Sequence, residues 1–204
     1  MLRCSFSHFS AWLALASIAA QAPEDAHKKE TPLSPSHPLP VPRVLDAPRC
    51  VWNAGAELGE GTLWSQREQA LYWVDILGRR LHRHRPADGA QDSWSFDEEI
   101  SAVAERASRP GLLVTLRRGF ALFDPARPDE PAHYLHRPDE PEGNRFNDGK
   151  CDPQGRFWGG TMDLECRQPT GALYRFDGDG RCTRHESGIT VSNGPTWSAD
   201  GRTM

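Results

Sequence analysis

Residues 144–162 read NRFNDGKCDPQGRFWGGTM, and this stretch combines a polar cluster with a strand–turn–strand pattern. Its first half holds an arginine, an asparagine, an aspartate and a lysine within six residues. DPQG (152–155) has the composition of a tight hairpin turn, and an apolar run around Phe157 follows it. The pattern predicts two antiparallel strands, with the polar cluster placed directly before the turn that joins them.

Short apolar runs of the same kind continue along the chain from about residue 50 onward. They are separated by Gly, Pro, Asp and Ser, which is typical of short strands joined by tight turns, and the spacing of a long amphipathic helix is absent. The predicted strands cover 70–77, 111–117, 119–124, 155–162 and 172–177. We therefore predict an all-β fold, which could be a sandwich, a barrel or a propeller.

An internal repeat favours the propeller among these three folds. A polar residue followed by glycine begins three segments of similar form, at Glu60, Asp148 and Asn193. These residues are 88 and 45 positions apart, and 88 is close to twice 44. A fourth copy is therefore expected near residue 104, where residues 100–116 keep the strand–turn–strand form but have Val-Ala in place of the polar-glycine pair. Such a period, with about four short strands in it, is typical of a β-propeller blade.

The composition excludes some classes of partner. The chain has 204 residues, of which 37% are hydrophobic and 25% charged, as expected for a globular protein. Its net charge of −4 and isoelectric point near 6.1 provide no basic surface, so we expect neither a nucleic-acid nor a membrane partner. The five cysteines form no CxxC pair and are predicted to be reduced thiols, with a bridge between Cys151 and Cys166 as the alternative.

Two segments precede the predicted folded region at 49–204. Residues 1–22 have the outline of a secretory signal, because a basic start precedes an apolar run too short to span a bilayer; the alternative is an extension without function. Residues 23–48 contain seven prolines and are predicted to be a disordered linker. We expect a cytoplasmic protein, or a secreted or periplasmic one if residues 1–22 are a true signal peptide.

The repeat also predicts where the polar residues meet. In a propeller the innermost strand of each blade lines the central channel, so a residue at the start of that strand faces the channel mouth. Glu60, Asn147, Asp148 and Asn193 are therefore expected to converge although they are far apart in sequence. Oxygen ligands from separate blades suit a hard cation. The alternative is that the polar-glycine pairs only begin turns.

Several segments resemble a known protein family. They are GEGTLW, LYWVDILGRRLHR, RFNDGKCDPQGRFWGGTM, GALYRFD and SNGPTWSADGRT. Over about residues 49–204 the chain resembles the senescence marker protein/gluconolactonase/regucalcin family. The resemblance implies a six-bladed β-propeller with one divalent metal ion in its central channel, either Ca²⁺ or Zn²⁺, with Mn²⁺ or Mg²⁺ as further options. It also implies hydrolysis of a small-molecule sugar lactone such as gluconolactone.

The resemblance assigns roles to five residues of this chain. It implies that Glu60 and Asn193 bind the metal. It implies that Arg145, Asn147 and Glu165 contact the substrate, with Asn147 also close to the metal. The channel mouth is thereby predicted to hold both metal and substrate ligands.

No catalytic residue of the family is matched within the chain. The family's third metal ligand, an aspartate proposed as the general base, is expected roughly one blade of 45–50 residues after Asn193, beyond Met204. About three and a half of six blades are therefore predicted. Half a ring leaves blade edges open, so the chain alone is expected to be marginally stable or aggregation-prone. A fragment, a truncated gene model and a pseudogene product are the explanations considered.

Two other functions compete with lactone hydrolysis. A non-catalytic calcium-binding regulatory propeller would use the same metal residues without turnover. Arg145 and Glu165 favour the enzyme, because a metal buffer needs no sugar-binding rim. A propeller esterase or strictosidine-synthase-like protein is disfavoured by RFNDGK. The lactone, the metal and the oligomeric state stay open.

Some polar segments are predicted to have no direct chemical role. The histidines of LHRHR (81–85) and the acidic segment 137–144 are expected to be solvated. Asp148 and Lys150 are expected to brace their loop rather than to act in catalysis.

Overall fold

This computed structural model describes residues 47–204, which contain twelve β-strands arranged in three sheets. The first sheet holds β1 (Gly59–Ser65), β2 (Ala70–Asp75), β3 (Arg80–Arg85) and β4 (Ala90–Ser95). The second holds β5 (Ile100–Glu105), β6 (Leu112–Leu116), β7 (Gly119–Phe123) and β8 (His133–His136). The third holds β9 (Asn144–Cys151), β10 (Phe157–Asp163), β11 (Gly171–Phe176) and β12 (Cys182–Ile189). Within this range no helix is long and apolar enough to cross a membrane.

Each sheet is an antiparallel meander in which the strands follow one another in chain order. The first strands of the three sheets, β1, β5 and β9, pack against one another. This is the arrangement of propeller blades around a channel, so the predictions of an all-β fold and of a partial propeller are confirmed. After the third blade, residues 190–204 continue with a single bridge between Met162 and Val191.

A β-bulge interrupts each of the three innermost strands near its start. The register shifts between Glu60 and Leu63 in β1, between Ile100 and Ala102 in β5, and at Asn147 in β9. A bulge places an extra residue in one strand and turns a side chain out of the regular alternation. In β1 this requires Gly61, which has φ +60° and whose Cβ would lie 3.3 Å from the backbone oxygen of Ser101.

The fourth copy of the repeat lies slightly earlier than the sequence indicates. The sequence places it near residue 104, whereas β5 begins at Ile100 and its bulge falls at Ser101. The predicted strands otherwise match the observed ones to within about two residues at their ends.

A cluster of aromatic side chains joins the second and third blades. Phe120 of β7 is fully buried, and its ring centroid lies 4.9 Å from that of Phe176 and 5.0 Å from that of Phe146. Phe157 completes the cluster at 6.0 Å. Because Phe146 lies in the middle of the RFND motif, this packing anchors the polar part of β9 to the core.

Replacing Phe120 by alanine should therefore destabilise the protein strongly. We expect the free energy of unfolding to fall by about 3–5 kcal/mol, because the large cavity lies between two blades and cannot collapse easily. Urea unfolding followed by tryptophan fluorescence measures this change. Leu135→Ala, at a position of β8 that is 40% exposed, should change it by no more than about 0.5 kcal/mol; similar losses in both variants would contradict this role of Phe120.

Asp152 organises the DPQG turn that joins β9 to β10. Its Oδ1 accepts the backbone N–H groups of Gln154 and Arg156, and its Oδ2 accepts Nε of Arg156 at 2.6 Å and Nε1 of Trp158 at 2.9 Å. Burial opposes ionisation of this carboxylate, but these donors outweigh burial and hold the pKa of Asp152 below its ordinary value of 3.8.

Asp152→Asn should lower stability by about 1–3 kcal/mol at neutral pH, because an amide cannot accept all of these hydrogen bonds. A depressed carboxylate pKa contributes stability above the unfolded value of 3.8, and that contribution is lost as the pH falls through the folded value. The difference in melting temperature between wild type and variant should therefore shrink in acid. Asp179→Asn, in the exposed turn between β11 and β12, should have a much smaller effect at neutral pH; equal effects would contradict the prediction.

The histidines of β3 contradict the sequence-based expectation that they are solvated. His82 and His84 are 2% and 6% exposed. Nδ1 of His82 lies 2.8 Å from Oγ of Ser93, and its ring stacks on Trp73 at 5.1 Å. The expectation rests on the polarity of histidine alone. In the structure, neighbouring side chains cover the face of the first blade on which His82 and His84 lie.

Two further sequence-based predictions concern the cysteines and the N-terminal segments. Cys151 and Cys166 are free thiols, as are Cys50 and Cys182, so no bridge joins the first two. The signal-like segment 1–22 and nearly all of the proposed linker 23–48 lie outside the described residues, and both stay predictions.

Candidate functional site

The RFND motif lies at the start of β9, and its arginine is buried. Arg145 is 6% exposed, and its Nη1 donates to the backbone oxygen of Phe146 at 2.9 Å and to Oδ1 of Asn147 at 2.7 Å. Both acceptors are neutral, and within residues 47–204 no carboxylate lies at ion-pair distance from this guanidinium. Asn147, which accepts from Arg145, is the extra residue of the β9 bulge.

Asn147 and Asp148 join β9 to the SNG segment that follows the third blade. Nδ2 of Asn147 donates to the backbone oxygen of Ser192 at 2.6 Å and lies 3.3 Å from Oδ1 of Asn193. Oδ2 of Asp148 accepts the backbone N–H of Gly194 at 2.6 Å, while its Oδ1 accepts that of Gly149 at 2.7 Å. Residues 46 positions apart in sequence therefore meet, and Asp148 binds the two segments together.

Glu60 enters the same neighbourhood from β1. The residue is exposed, but partial desolvation of its carboxylate raises the pKa of Glu60. The negative charge of Asp148 raises this pKa further, and the positive charge of Arg145 opposes both effects. These interactions require Glu60 to lie near both residues, so β1 and β9 contribute to one site.

The cation of Arg145 is placed among several charges. Burial lowers its pKa, whereas Glu99, Cys166 and Glu60 favour the charged form. Glu99 precedes β5 and is also 3.4 Å from Nη1 of Arg117. Glu60 of the first blade and Glu99 before the second thus place carboxylates near the guanidinium, which β9 of the third blade carries.

Glu165 is not brought into this cluster. Its side chain is 71% exposed and forms an ion pair with Arg167 at 3.4 Å. The loop that carries it is held by Asp163, whose Oδ2 accepts the backbone N–H groups of Arg167 and Gln168. Its adjacent residue, Cys166, does interact electrostatically with Arg145, so the loop borders the site while the glutamate side chain faces outward.

Below the mouth, a cavity of about 550 Å³ separates the innermost strands. It is lined by Gly61, Thr62, Leu63, Val103, Ala104, Glu105, Asp148, Gly149, Lys150, Cys151, Gly194 and Pro195. This volume lies within the range of small-ligand sites in proteins.

The donor set suits a divalent cation with few protein ligands. Glu60 provides a carboxylate and Asn193 an amide oxygen, which are the ligand types that hard cations prefer. Oδ1 of Asn147 instead accepts from Arg145. Among residues 47–204 no group of three or more His, Cys, Asp and Glu side chains converges on one point. The residues therefore fit a cation that keeps open coordination positions, and they do not fit a closed structural site with four side-chain ligands.

Sequence reasoning missed part of this arrangement. It placed Asp148 at the channel mouth but did not predict its hydrogen bond to Gly194, and it did not consider Glu99. The acidic segment 137–144 is predicted to be solvated, and most of its residues are exposed, but Asn144 is buried and Glu140 is half-buried and hydrogen-bonded. Local composition provided no signal for these contacts, because their partners lie in other strands.

The three blades and their polar channel mouth define a protein of the lactonase type of β-propeller. Residues 58–204 match the family model described as SMP-30/Gluconolactonase/LRE-like region, and the chain belongs to that family.

Several relatives of known sequence are similar to the chain. It is 38% identical over 149 residues to the putative sugar lactone lactonase YvrE of Bacillus subtilis, covering 73% of the chain and 50% of that protein. It is 40% identical over 152 residues to a 6-deoxy-6-sulfogluconolactonase of Pseudomonas putida, covering 74% and 52%. It is 34% identical over 161 residues to regucalcin of Xenopus laevis, covering 76% and 53%. The chain spans about half the length of the curated relatives it matches.

Solved structures show the same fold. A luciferin-regenerating enzyme superposes with a TM-score of 0.66 at 30% identity, covering 72% of this chain and 51% of that one. The calcium-binding protein regucalcin of Agrobacterium tumefaciens superposes with a TM-score of 0.66 at 28% identity, covering 72% and 48%.

Asp148→Asn should loosen the attachment of the SNG segment. The amide retains one acceptor oxygen, so it can accept from only one of Gly149 and Gly194 in the present geometry. We expect faster amide hydrogen exchange in residues 192–197, measured by mass spectrometry. Asp200→Asn, which removes a carboxylate from the turn just beyond, serves as the control. Unchanged exchange at Gly194 in Asp148→Asn would contradict the bridging role.

Proposed function

We propose that this chain supplies the metal-binding and substrate-binding residues of a sugar lactone hydrolase that opens an aldonolactone to the aldonic acid. One observation carries the proposal: a buried arginine cation, Arg145, is joined through Asn147 to Asn193 and lies close to Glu60. The family named above and its relatives with lactonase names support the same reaction class.

Arg145 is the substrate-binding group in this proposal. Only its Nη1 is bonded to acceptors among the described residues, which leaves Nε and Nη2 for the oxygens of a bound lactone. In lactone hydrolysis, water adds to the carbonyl carbon, the bond from that carbon to the ring oxygen breaks, and the ring oxygen takes up a proton. The product is a carboxylate, and a buried guanidinium stabilises that developing charge with a fixed fork of donors.

Glu60 and Asn193 are the proposed metal ligands, with Asn147 next to them. A divalent ion bound there, Ca²⁺ or Zn²⁺ or else Mn²⁺ or Mg²⁺, supplies Lewis-acid polarisation of the lactone carbonyl and acidifies water. Asn147 links the two functions, since its Oδ1 accepts from Arg145 while its Nδ2 faces Asn193. Glu165 is proposed as a substrate contact only through movement of its exposed side chain towards the mouth.

A calcium-binding protein without turnover is the second candidate. Relatives named regucalcin in Xenopus laevis and Gallus gallus are 34% and 35% identical to the chain. Glu60 and Asn193 would bind the ion equally well in that case, and Arg145 would have no substrate to contact.

Calcium titration calorimetry, followed by an assay of D-gluconolactone hydrolysis with each of the four ions after chelation, separates the two candidates. Divalent-dependent hydrolysis above the spontaneous rate supports the enzyme. Ion binding that Glu60→Gln abolishes, with neither turnover nor binding of D-gluconolactone, supports the calcium-binding protein. An absence of both ion binding and turnover would overturn both.

Arg145→Lys should separate substrate binding from metal binding. Lysine keeps the charge but loses the fork of donors, so we expect KM for D-gluconolactone to rise about tenfold, equivalent to about 1.4 kcal/mol, with an unchanged metal Kd. Arg175→Lys on β11, where the arginine pairs with Asp177, is the matched control and should leave both constants unchanged. An unchanged KM in Arg145→Lys would contradict the substrate-binding role.

A further inference from the structure

Glu140 lies outside the metal and substrate ligands but forms two strong hydrogen bonds next to them. It belongs to the segment that joins β8 to β9 and is half-buried. Its Oε2 accepts Nδ2 of Asn144 at 2.6 Å, and its Oε1 accepts the hydroxyl of Tyr174 in a short hydrogen bond. Because the acceptor is a carboxylate, both bonds are stronger than those between neutral groups.

Asn144, the first residue of β9, is fully engaged by this arrangement. It is 4% exposed; its Nδ2 also donates to the backbone oxygen of Thr170 at 3.1 Å, and its Oδ1 accepts Oγ1 of Thr170 at 2.8 Å. Its backbone N–H donates to the oxygen of Pro141 at 2.9 Å. We call the four side chains of Glu140, Asn144, Thr170 and Tyr174 the β9 clamp.

The β9 clamp connects two segments that border the channel mouth, the start of β9 and the loop 164–170. On one side, Asn144 is the residue directly before Arg145, so the position of Asn144 determines the position of the buried guanidinium. On the other side, Thr170 ends the loop that carries Glu165 and Cys166. Asn144 also pairs across the sheet with Asp163, which organises the beginning of that loop. Tyr174 attaches the whole assembly to β11, in the rigid interior of the third blade.

We propose that the β9 clamp is a positioning element of the lactone site, in which Glu140 holds Asn144 and thereby sets the place of Arg145 relative to the loop 164–170. The part that concerns lactone binding rests on the proposed function. Loss of Glu140 leaves the buried amide of Asn144 without one of its two acceptors, and the start of β9 and the loop 164–170 can then shift against each other. Displacements of about 1 Å at a reacting site lower rates by up to about a hundredfold.

Tyr174→Phe is the sharpest test because it removes a single hydroxyl and keeps the ring. The first blade offers a matched control: Tyr72 is also fully buried and its hydroxyl donates to Oε2 of Glu68 at 2.6 Å. Both variants, Tyr174→Phe and Tyr72→Phe, break one part-buried Tyr–Glu hydrogen bond, and the second also removes a 3.5 Å contact with Arg83. Only Tyr174 is linked, through Glu140, to the residue directly before Arg145.

Two readouts on the whole chain decide the proposal. In hydrogen exchange, Tyr174→Phe and Glu140→Gln should speed exchange of the amides of Asn144 and Leu164, which bond to Pro141 and Gly143, while Tyr72→Phe leaves both unchanged. With D-gluconolactone, KM should rise about fivefold in the two clamp variants, with an unchanged Kd for Ca²⁺ and an unchanged KM in Tyr72→Phe.

The two proposals fail in different ways. If wild-type protein binds neither a divalent ion nor D-gluconolactone, the proposed function fails, and the exchange data still decide whether the clamp positions β9. If exchange near Asn144 is unchanged in the clamp variants, or rises equally in Tyr72→Phe, the clamp proposal is overturned. If exchange rises as expected but KM for a turning-over enzyme is unchanged, the clamp is structural only and the positioning role is overturned.

Discussion

The packing of β5 between β1 and β9 is the constraint on which the rest of the described structure depends. These innermost strands carry bulges near their starts, and a bulge is useful only if neighbouring strands hold its extra residue in place. Phe120 of the second blade packs against Phe146 of the third, in the middle of the RFND motif, and so holds the two blades together. Packing energy from an apolar cluster is thereby used to hold a polar motif at the edge of a channel.

The charged groups at and near that motif interact unfavourably in two ways. A carboxylate at Glu60 and another at Asp148 repel each other, which is one reason why the pKa of Glu60 is raised, while a guanidinium at Arg145 is buried without a carboxylate at contact distance. Groups placed in this way cost folding free energy unless something compensates. A cation between the carboxylates and an anion beside the guanidinium would relieve both costs.

Much of this was predictable from sequence, and the failures have a common cause. Alternating apolar residues, turn glycines and the repeat near 44 residues are local signals, and they predicted strands, blades and the meeting of Asn147 with Asn193. The burial of His82 and the bonding of Glu140 depend on partners in other strands, Trp73 and Tyr174 among them. Composition describes a residue's own preference for water and contains no information on what tertiary structure places over it. Glu165 is a third case, because its sequence position beside the motif does not determine the direction of its side chain.

The same geometry bears on whether the described residues could complete a hydrolytic reaction. A general base needs a carboxylate oxygen that is free to take a proton from water. Both oxygens of Asp148 accept backbone N–H groups, from Gly149 and Gly194, and Glu60 is needed as a metal ligand in the proposed arrangement. Neither carboxylate is therefore suited to act as the base. A working hydrolase would therefore need one further carboxylate at the channel, whereas the proposed metal ligands Glu60 and Asn193 would serve a cation-binding protein as they are.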